Sequence, residues 1–193
     1  MDTAEFWDVI RAARSACTAD RRFAEALRDE LATRTKSDIL SYQERFDELR
    51  AAVYRWDVWA AAYLIGGGCS DDSFMDFRAG LIASGKDWYE KAAALPDSLA
   101  GHPAVIAAVG AHRDEALFDE DTNYAAGDAY ELLTGGEEDF YEAWDEFVAT
   151  RDAPVRDTHD MGDDFDFDDP EEMRHRLPRL ASLYLEAPLP RRG

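Results

Sequence analysis

The sequence predicts an all-α protein, and two observations support this fold class. Apolar residues recur at spacings of three and four through most of the chain, which is the pattern of helices with one buried face. Glycines and prolines separate these stripes, and no segment has the pattern of a convincing strand. With 193 residues, 46% of them hydrophobic, the chain is long enough to form a core without a disulfide or a metal. We therefore predict a single domain over 1–193, with about eight or nine helices.

Apolar stripes predict the helices in the first third of the chain. The stripes are Phe6-Ile10-Ala13, Phe23-Leu27-Leu31 and Ile39-Tyr42-Phe46-Leu49-Val53. We expect Ser37 or Asp38 to cap the third helix, because short polar side chains accept hydrogen bonds from free backbone N–H groups. From Trp56 to Ile65 the chain is apolar on most sides, which predicts a buried helix at the centre of the fold.

Glycines and short polar residues predict where the next helices begin and end. The run from Gly66 to Gly68 is expected to end the central helix, because glycine tolerates a positive φ. Ser70 is expected to begin the next helix, since Asp71 and Asp72 behind it favour the positive end of the helix dipole. This helix is expected to end around Gly85. Further helices are predicted from Trp88 to before Pro96, from near Pro103, over 122–134 and over 137–149.

Residues 150–169 are predicted to be an acidic linker that follows a main helical body, residues 1–149. Proline, glycine and a run of acids make regular packing of this stretch unfavourable. Within it, Phe165 and Phe167 alternate strictly with aspartates, so both rings would lie on one side of an extended chain.

A final helix is predicted over 170–187. Pro170 suits its first turn, and an apolar stripe along it predicts that the helix docks on the main body. Pro178 interrupts this stripe, so we expect a kink there or a division into two short helices.

Charge is the unusual feature of the composition. The chain has 21 Lys and Arg against 42 Asp and Glu, a formal net charge of −21. Residues 101–172 hold 23 of the acids and only three arginines, whereas residues 1–100 are nearly balanced. A field of this sign repels phosphate groups, which excludes direct nucleic-acid binding through the phosphates and argues against binding to an anionic membrane.

The acidic stretch has more than one interpretation. It serves solubility or salt adaptation alone, or it presents an acidic face to a basic protein or peptide. For the second interpretation the partner-binding candidates are Asp163, Asp164, Asp166, Asp168 and Asp169.

The cysteines and the N-terminal residues indicate the compartment. Cys17 and Cys69 lie far apart in sequence, so we expect reduced thiols rather than a disulfide framework. The first residues have neither the basic region nor the apolar region of a signal peptide. No segment approaches the roughly 18 uncharged apolar residues of a membrane span. We therefore expect a cytoplasmic protein.

The acidic residues form no recognisable metal motif. Asp119, Asp121 and Asn123 match the first positions of an EF-hand loop, but Tyr124 stands where glycine is required and Tyr130 where a bidentate Glu is required. The four histidines and two cysteines have no zinc-ligand spacing. We expect neither a metal ion nor a cofactor.

A second group of candidates surrounds the predicted central helix. The ligand-binding candidates are Trp56, Asp57, Cys69, Ser70, Asp71, Asp72 and Arg78. The aromatic residues of this region either line a pocket or form part of the core; they are Trp56, Trp59, Tyr63 and Trp88. Cys69 precedes a helix N-terminus, which favours a thiolate; the alternative is a small residue buried under the glycine turn. Arg55 and Arg78 are expected to pair with nearby carboxylates, although Arg55 and Asp57 have an (i, i+2) spacing that is unfavourable on a helix.

Three blocks of the sequence carry a family resemblance. The first is Met1-Asp2 with Glu5-Phe6-Trp7. The second runs from Tyr54-Arg55-Trp56-Asp57 through Gly67-Gly68-Cys69-Ser70-Asp71-Asp72 to Phe77-Arg78. The third runs from Phe167-Asp168 to Arg176-Leu177-Pro178-Arg179-Leu180. In these blocks the chain resembles the bacterial domain-of-unknown-function family 4240, which is common in actinobacteria. The resemblance implies one helical domain of this length, and it supplies no reaction and no catalytic residues.

Three hypotheses about function follow. The favoured one is a non-enzymatic binding or regulatory protein whose acidic C-terminal half binds a basic partner. The second is an enzyme or a small-ligand-binding protein with a pocket around the WDxW and GGCSDD motifs. The third is a structural module in which the motif residues cap and pack helices. The sequence leaves the oligomeric state open.

Overall fold

The computed structural model describes residues 1–110, 116–150 and 160–185. The predicted all-α class is confirmed, because these ranges contain helices and no β-strand beyond an isolated bridge between Thr18 and Arg21. The α-helices within them are α1 (Thr3–Ser15), α2 (Phe23–Ala32), α3 (Lys36–Ala52), α4 (Trp56–Gly66), α5 (Asp71–Ala83), α6 (Lys86–Ala94), α7 (Pro103–Ala108), α8 (Ala125–Thr134), α9 (Phe140–Ala149), α10 (Pro170–Arg176) and α11 (Pro178–Tyr184). Short 3₁₀ helices lie at Pro96–Gly101 and Asp121–Asn123. None of the described helices is both long and apolar enough to cross a bilayer.

The chain divides into two compact units, each built from two separate segments. The first unit consists of Met1–Ala51 and Glu120–Asp157, and the second consists of Ala52–Asp119 and Thr158–Gly193. The expectation of one domain over the whole chain stays a prediction. Residues 151–159 of the predicted linker and the last two residues of the predicted helix over 170–187 lie outside the described ranges.

The first unit has its core between α1, α2, α3 and α8. Phe6 of α1 stacks on Tyr42 of α3 with ring centres 5.0 Å apart, and Tyr42 stacks on Phe46 at 6.1 Å. Leu27 and Leu31 of α2 are fully buried in the same unit. The predicted stripes of α1, α2 and α3 therefore form a core, as their periodicity indicates.

The start of α3 corrects the predicted cap. Thr35, rather than Ser37 or Asp38, precedes the helix, and its hydroxyl accepts a hydrogen bond from Asp38 N at 3.2 Å. The Asp38 carboxylate accepts one from Thr35 N, also at 3.2 Å. Because the helix begins at Lys36, Asp38 is its third residue and completes a reciprocal capping box. Hydrogen bonds from the Thr35 hydroxyl and N–H hold the pKa of Asp38 below its ordinary value.

The second unit contains the predicted central helix, α4, which is confirmed as a buried element. Its buried residues are Val58, Ala60, Ala61, Ala62, Leu64 and Ile65. The helix ends at Gly66, and Gly67 has a φ of 72°, as expected for a glycine that ends a helix. The remaining face of α4 carries Trp56, Trp59 and Tyr63, which are half-buried.

The C-terminal helix is divided at the predicted proline. The helix α10 ends at Arg176, and α11 begins at Pro178. The second piece contacts α4 and the 3₁₀ helix Pro96–Gly101, and the Tyr184 hydroxyl donates to Val105 O at 2.7 Å. The predicted docking of this part of the chain is therefore confirmed within the second unit.

The segment 116–119 crosses α5 at very short range. A Cβ atom on Gly80 would lie 1.8 Å from Leu117 O, so only glycine leaves room for the crossing. Leu117 itself has a φ of +67°, which is uncommon for a residue other than glycine. Phe118 packs against Phe77 of α5, with ring centres 5.3 Å apart, and so holds the crossing chain in place.

Candidate functional site

The acidic run and the aromatic face of α4 lie together in the second unit. Residues 160–169, here called the acidic segment, are irregular, as predicted for a linker, but they pack along α4. The N–H of Trp56 donates to Met161 O at 3.0 Å. The ring centre of Phe167 lies 6.0 Å from that of Trp56 and 5.5 Å from that of Tyr63. This part of the predicted linker is therefore a fixed element of the unit.

An aromatic cluster anchors the acidic segment. Trp59 stacks on Phe74 of α5 at 4.7 Å and on Trp56 at 5.4 Å. Phe167 contacts Phe165 at 5.1 Å, so the two phenylalanines lie on one side of the segment, as the alternation predicts. Such aromatic pairs contribute roughly 0.5–1.5 kcal/mol each beyond the area that they bury.

Three of the acidic candidates take part in the local fold. Asp168 accepts a hydrogen bond from the Tyr63 hydroxyl, and this bond raises the pKa of Tyr63. Asp169 is the N-cap of α10 and accepts two backbone N–H groups of its first turn, at 2.8 and 3.3 Å. Asp166 accepts from Asp168 N at 2.9 Å. These bonds fix the course of the segment while leaving all three carboxylates exposed.

The other acidic candidates, Asp163 and Asp164, are exposed as well. The segment also contacts a cation of its own chain: the guanidinium carbon of Arg176 lies 4.2 Å from the ring centre of Phe165. The Nε atom of Arg176 donates to Glu172 at 2.6 Å. An aromatic ring of this segment thus already holds a guanidinium group beside a carboxylate.

Asp57 forms an ion pair that the helical spacing rule does not predict. Arg55 donates to both of its carboxylate oxygens, at 2.9 and 2.7 Å, and to Ala93 O at 2.9 Å. The expectation of an unfavourable (i, i+2) spacing is wrong here because Arg55 is extended, with φ −141° and ψ 150°, and precedes the helix. The bond to Asp57 raises the pKa of Arg55.

Arg78 is buried under aromatic rings. This residue is only 5% exposed. The guanidinium carbon lies 4.5 Å from the ring centre of Tyr54 and 5.0 Å from that of Phe74. Ring faces stabilise the buried charge, so Arg78 contributes to the packing of α5.

The GGCSDD motif spans the turn between α4 and α5 and the first two residues of α5. Ser70 is the N-cap of α5 and its hydroxyl accepts from Ser73 N at 3.2 Å, as predicted, while Asp71 and Asp72 occupy the first turn and are exposed. The carbonyl of Cys69 accepts from Trp59 Nε1 at 3.1 Å. Burial raises the pKa of the Cys69 thiol to about 12, which opposes the thiolate that a helix N-terminus favours.

A groove opens beside the acidic segment, with a volume of about 220 Å³. Its lining residues are Tyr63, Leu64, Gly67, Phe167, Asp168, Pro170, Met173, Tyr184 and Leu185. Of the predicted candidates this set includes Asp168, while Asp57 faces Arg55 and Asp72 lies in the first turn of α5. Tyr63 was predicted only as one of the aromatic residues that either line a pocket or form the core, and Phe167 was missing from the candidates. The Phe–Asp alternation was the pattern that could have indicated Phe167.

The described ranges hold no group of three or more His, Cys, Asp or Glu residues placed to bind a metal ion. Comparison with protein families gives a match to the family described as Protein of unknown function (DUF4240), over residues 1–132. The chain belongs to this family. The family match includes α4 and α5 and ends before α9, so the acidic segment and the block Phe167–Leu180 lie outside the matched residues. Neither a curated protein nor a solved structure matches the chain.

Proposed function

We propose that this protein is a non-enzymatic binding module that takes up a basic segment of a protein or peptide partner along the acidic segment. One observation carries the proposal: Phe167 packs on α4 and fixes the segment, while Asp163, Asp164 and Asp166 remain exposed along it. A fixed row of carboxylates loses less conformational entropy on binding than a free linker does.

The geometry around α4 and α5 gives less support to the alternative, an enzyme or a small-ligand pocket at the WDxW and GGCSDD motifs. Asp57 is engaged by Arg55, Arg78 is packed under two rings, and the raised pKa of Cys69 keeps its thiol protonated near neutral pH. These contacts are those of residues that hold the second unit together.

The proposal is tested with a labelled peptide of alternating arginine and glycine and with the triple variant Asp163→Asn, Asp164→Asn, Asp166→Asn. We expect the variant to bind the peptide at least about threefold more weakly at low salt, because three exposed ion pairs at roughly 0.2–1 kcal/mol each amount to about 0.6 kcal/mol or more. Added salt should reduce the difference by screening. Fluorescence anisotropy measures both effects. The change Asp166→Asn should preserve the local fold, because asparagine keeps a side-chain oxygen that can accept a hydrogen bond from the N–H of Asp168.

The matched control removes three charges elsewhere: Glu137→Gln, Glu142→Gln and Asp145→Asn, all exposed residues of the first unit. This control should bind the peptide as the wild type does. An equal loss in both triple variants would mean that net charge alone attracts the peptide, and the proposal would be wrong. It would be equally wrong if the wild-type protein bound no more of this peptide than of its neutral citrulline counterpart.

A further inference from the structure

The groove beside the acidic segment combines aromatic rings with a single charge. The rings of Tyr63 and Phe167 lie 5.5 Å apart and are inclined by 53°. Leu64 and Met173 also belong to the lining, although Leu64 is buried and Met173 has no exposed surface. Among the lining residues, all of which the structure describes, Asp168 alone carries a charge.

Both features of this lining favour a positively charged group. The face of an aromatic ring attracts a cation through its quadrupole. The Asp168 carboxylate adds the opposite charge and a strong hydrogen-bond acceptor, and the Tyr63 hydroxyl holds it at the groove by donating to it. The lining contains no cation that would offset the repulsion between a bound anion and this carboxylate.

The volume of the groove limits the size of the ligand that it can bind. A volume of about 220 Å³ is below the roughly 300–1,000 Å³ of pockets that enclose drug-sized ligands. It suits one head group on a short aliphatic stem.

Elsewhere in this unit the chain binds guanidinium groups in the same manner. Arg176 stacks on Phe165 at 4.2 Å and donates to a carboxylate, and Arg78 lies 4.5 Å from the ring centre of Tyr54. The groove offers a comparable ring, that of Phe167, which lies two residues after Phe165 in the acidic segment. The next residue, Asp168, offers a comparable carboxylate.

We propose that this groove binds the guanidinium or ammonium head group of an organic cation, with Asp168 as its ionic partner. The inference rests on the proposed function, because an arginine or lysine side chain of a bound basic segment supplies this head group. A free alkyl guanidine or amine is the other source of the same chemistry.

The test follows the methyl group of Met173 by NMR in protein labelled with ¹³C-methyl methionine, with Met173→Leu used for assignment. Agmatine, which carries a guanidinium and an ammonium group at the two ends of a four-carbon stem, should shift this signal in a saturable manner. Butylurea, which has a four-carbon stem and no charge, should not. The methyl group of Met75, which lies on α5 and outside the lining of the groove, serves as the internal control.

Two single variants of equal charge locate the interaction. Asp168→Asn keeps an acceptor for the Tyr63 hydroxyl but removes the charge, and it should weaken agmatine binding at least about fivefold. Asp164→Asn removes one charge from the same segment outside the groove, and it should change the affinity for agmatine less than about twofold. Equal losses in the two variants, or equal shifts from agmatine and butylurea in the wild type, overturn the inference. The second comparison needs no variant and is independent of folding effects.

A titration with the arginine–glycine peptide separates the two proposals. If the peptide binds through the acidic segment but leaves the Met173 methyl unmoved, and agmatine leaves it unmoved too, the groove proposal is wrong and the proposed function stands. If agmatine moves the Met173 methyl and the peptide does not bind, the ligand is a free cation and the proposed function is wrong. If agmatine and the peptide both shift the signal of the Met173 methyl, an arginine side chain of the peptide occupies the groove.

Discussion

At the scale of single residues, Asp97 has a role that no sequence pattern indicates. It is 4% exposed, and its carboxylate accepts hydrogen bonds from Arg179 N at 3.0 and 3.2 Å and from Leu180 N at 2.9 Å. These N–H groups belong to the first turn of α11, whose own N-cap residue, Leu177, provides no side-chain cap. Asp97 therefore caps a helix that begins far along the chain, and it ties α11 to the second unit.

We expect Asp97→Ala to lower the free energy of unfolding by about 1–3 kcal/mol, because it leaves buried backbone donors without their acceptor. Asp97→Asn keeps one acceptor oxygen and should lose less. Urea denaturation measures both. The matched control is Glu90→Ala, which removes an exposed carboxylate paired with Lys86 in the same unit and should change stability by no more than about 0.5 kcal/mol. A loss for Asp97→Ala as small as that of the control would contradict the capping role.

The two cysteines should react differently with iodoacetamide. Cys17 is exposed, whereas burial raises the pKa of Cys69 from 9.0 to about 12. Since the thiolate is the nucleophile, Cys69 should stay unmodified in the folded protein at mildly alkaline pH, and its rate should rise only as the pH approaches the raised pKa.

Mass spectrometry of a Cys17→Ser variant gives a direct readout of Cys69. At mildly alkaline pH this variant should take up no label until urea unfolds it. Rapid labelling of its folded form near neutral pH would show a reactive thiol and would revive the hypothesis of a nucleophile at the GGCSDD motif.

At the scale of the elements, the crossing of segment 116–119 over α5 depends on Gly80. We expect Gly80→Ala to destabilise the protein by about 2 kcal/mol or more, because the added Cβ would lie 1.8 Å from Leu117 O and must displace the backbone. Thermal or urea unfolding measures the change.

Gly127→Ala in α8 is the matched control. There the nearest atom to the added Cβ is a ring carbon of Phe140 at 3.4 Å, which is ordinary contact. Alanine should therefore stabilise this helix by about 0.5–1 kcal/mol, following its higher helix propensity. If the two substitutions changed stability by similar amounts and in the same direction, the close crossing at Gly80 would be refuted.

Several helix boundaries could be predicted from the sequence pattern around them. The end of α4 at the glycine run, the Ser70 cap of α5 and the division of the C-terminal helix at Pro178 follow from residues within one or two turns of each break. The Ser37 or Asp38 cap was wrong by a few residues, because Thr35 and Asp38 share the capping bonds and periodicity does not locate the first helical residue.

At the scale of the whole molecule, the structure changes the interpretation of the charge. The sequence places the excess acid in 101–172, apart from the distinctive motifs around Trp56 and Ser70, which suggests two separate functional regions. The second unit joins part of that stretch, the acidic segment, to the aromatic face of α4. One surface therefore carries the acids, the rings and the groove, and the family match covers only the α4 side of it.

The sequence by itself determined the helical class, most of the helix ends and the acidic charge, because these depend on spacing, capping and composition within short stretches of chain. Only the tertiary structure decided that Phe167 seats the acidic segment on α4, that Asp97 caps α11 and that Gly80 lies under Leu117. Each of these contacts joins residues that are distant in the chain. Helical periodicity shows which face of a helix is buried, but it does not show which distant residue covers that face.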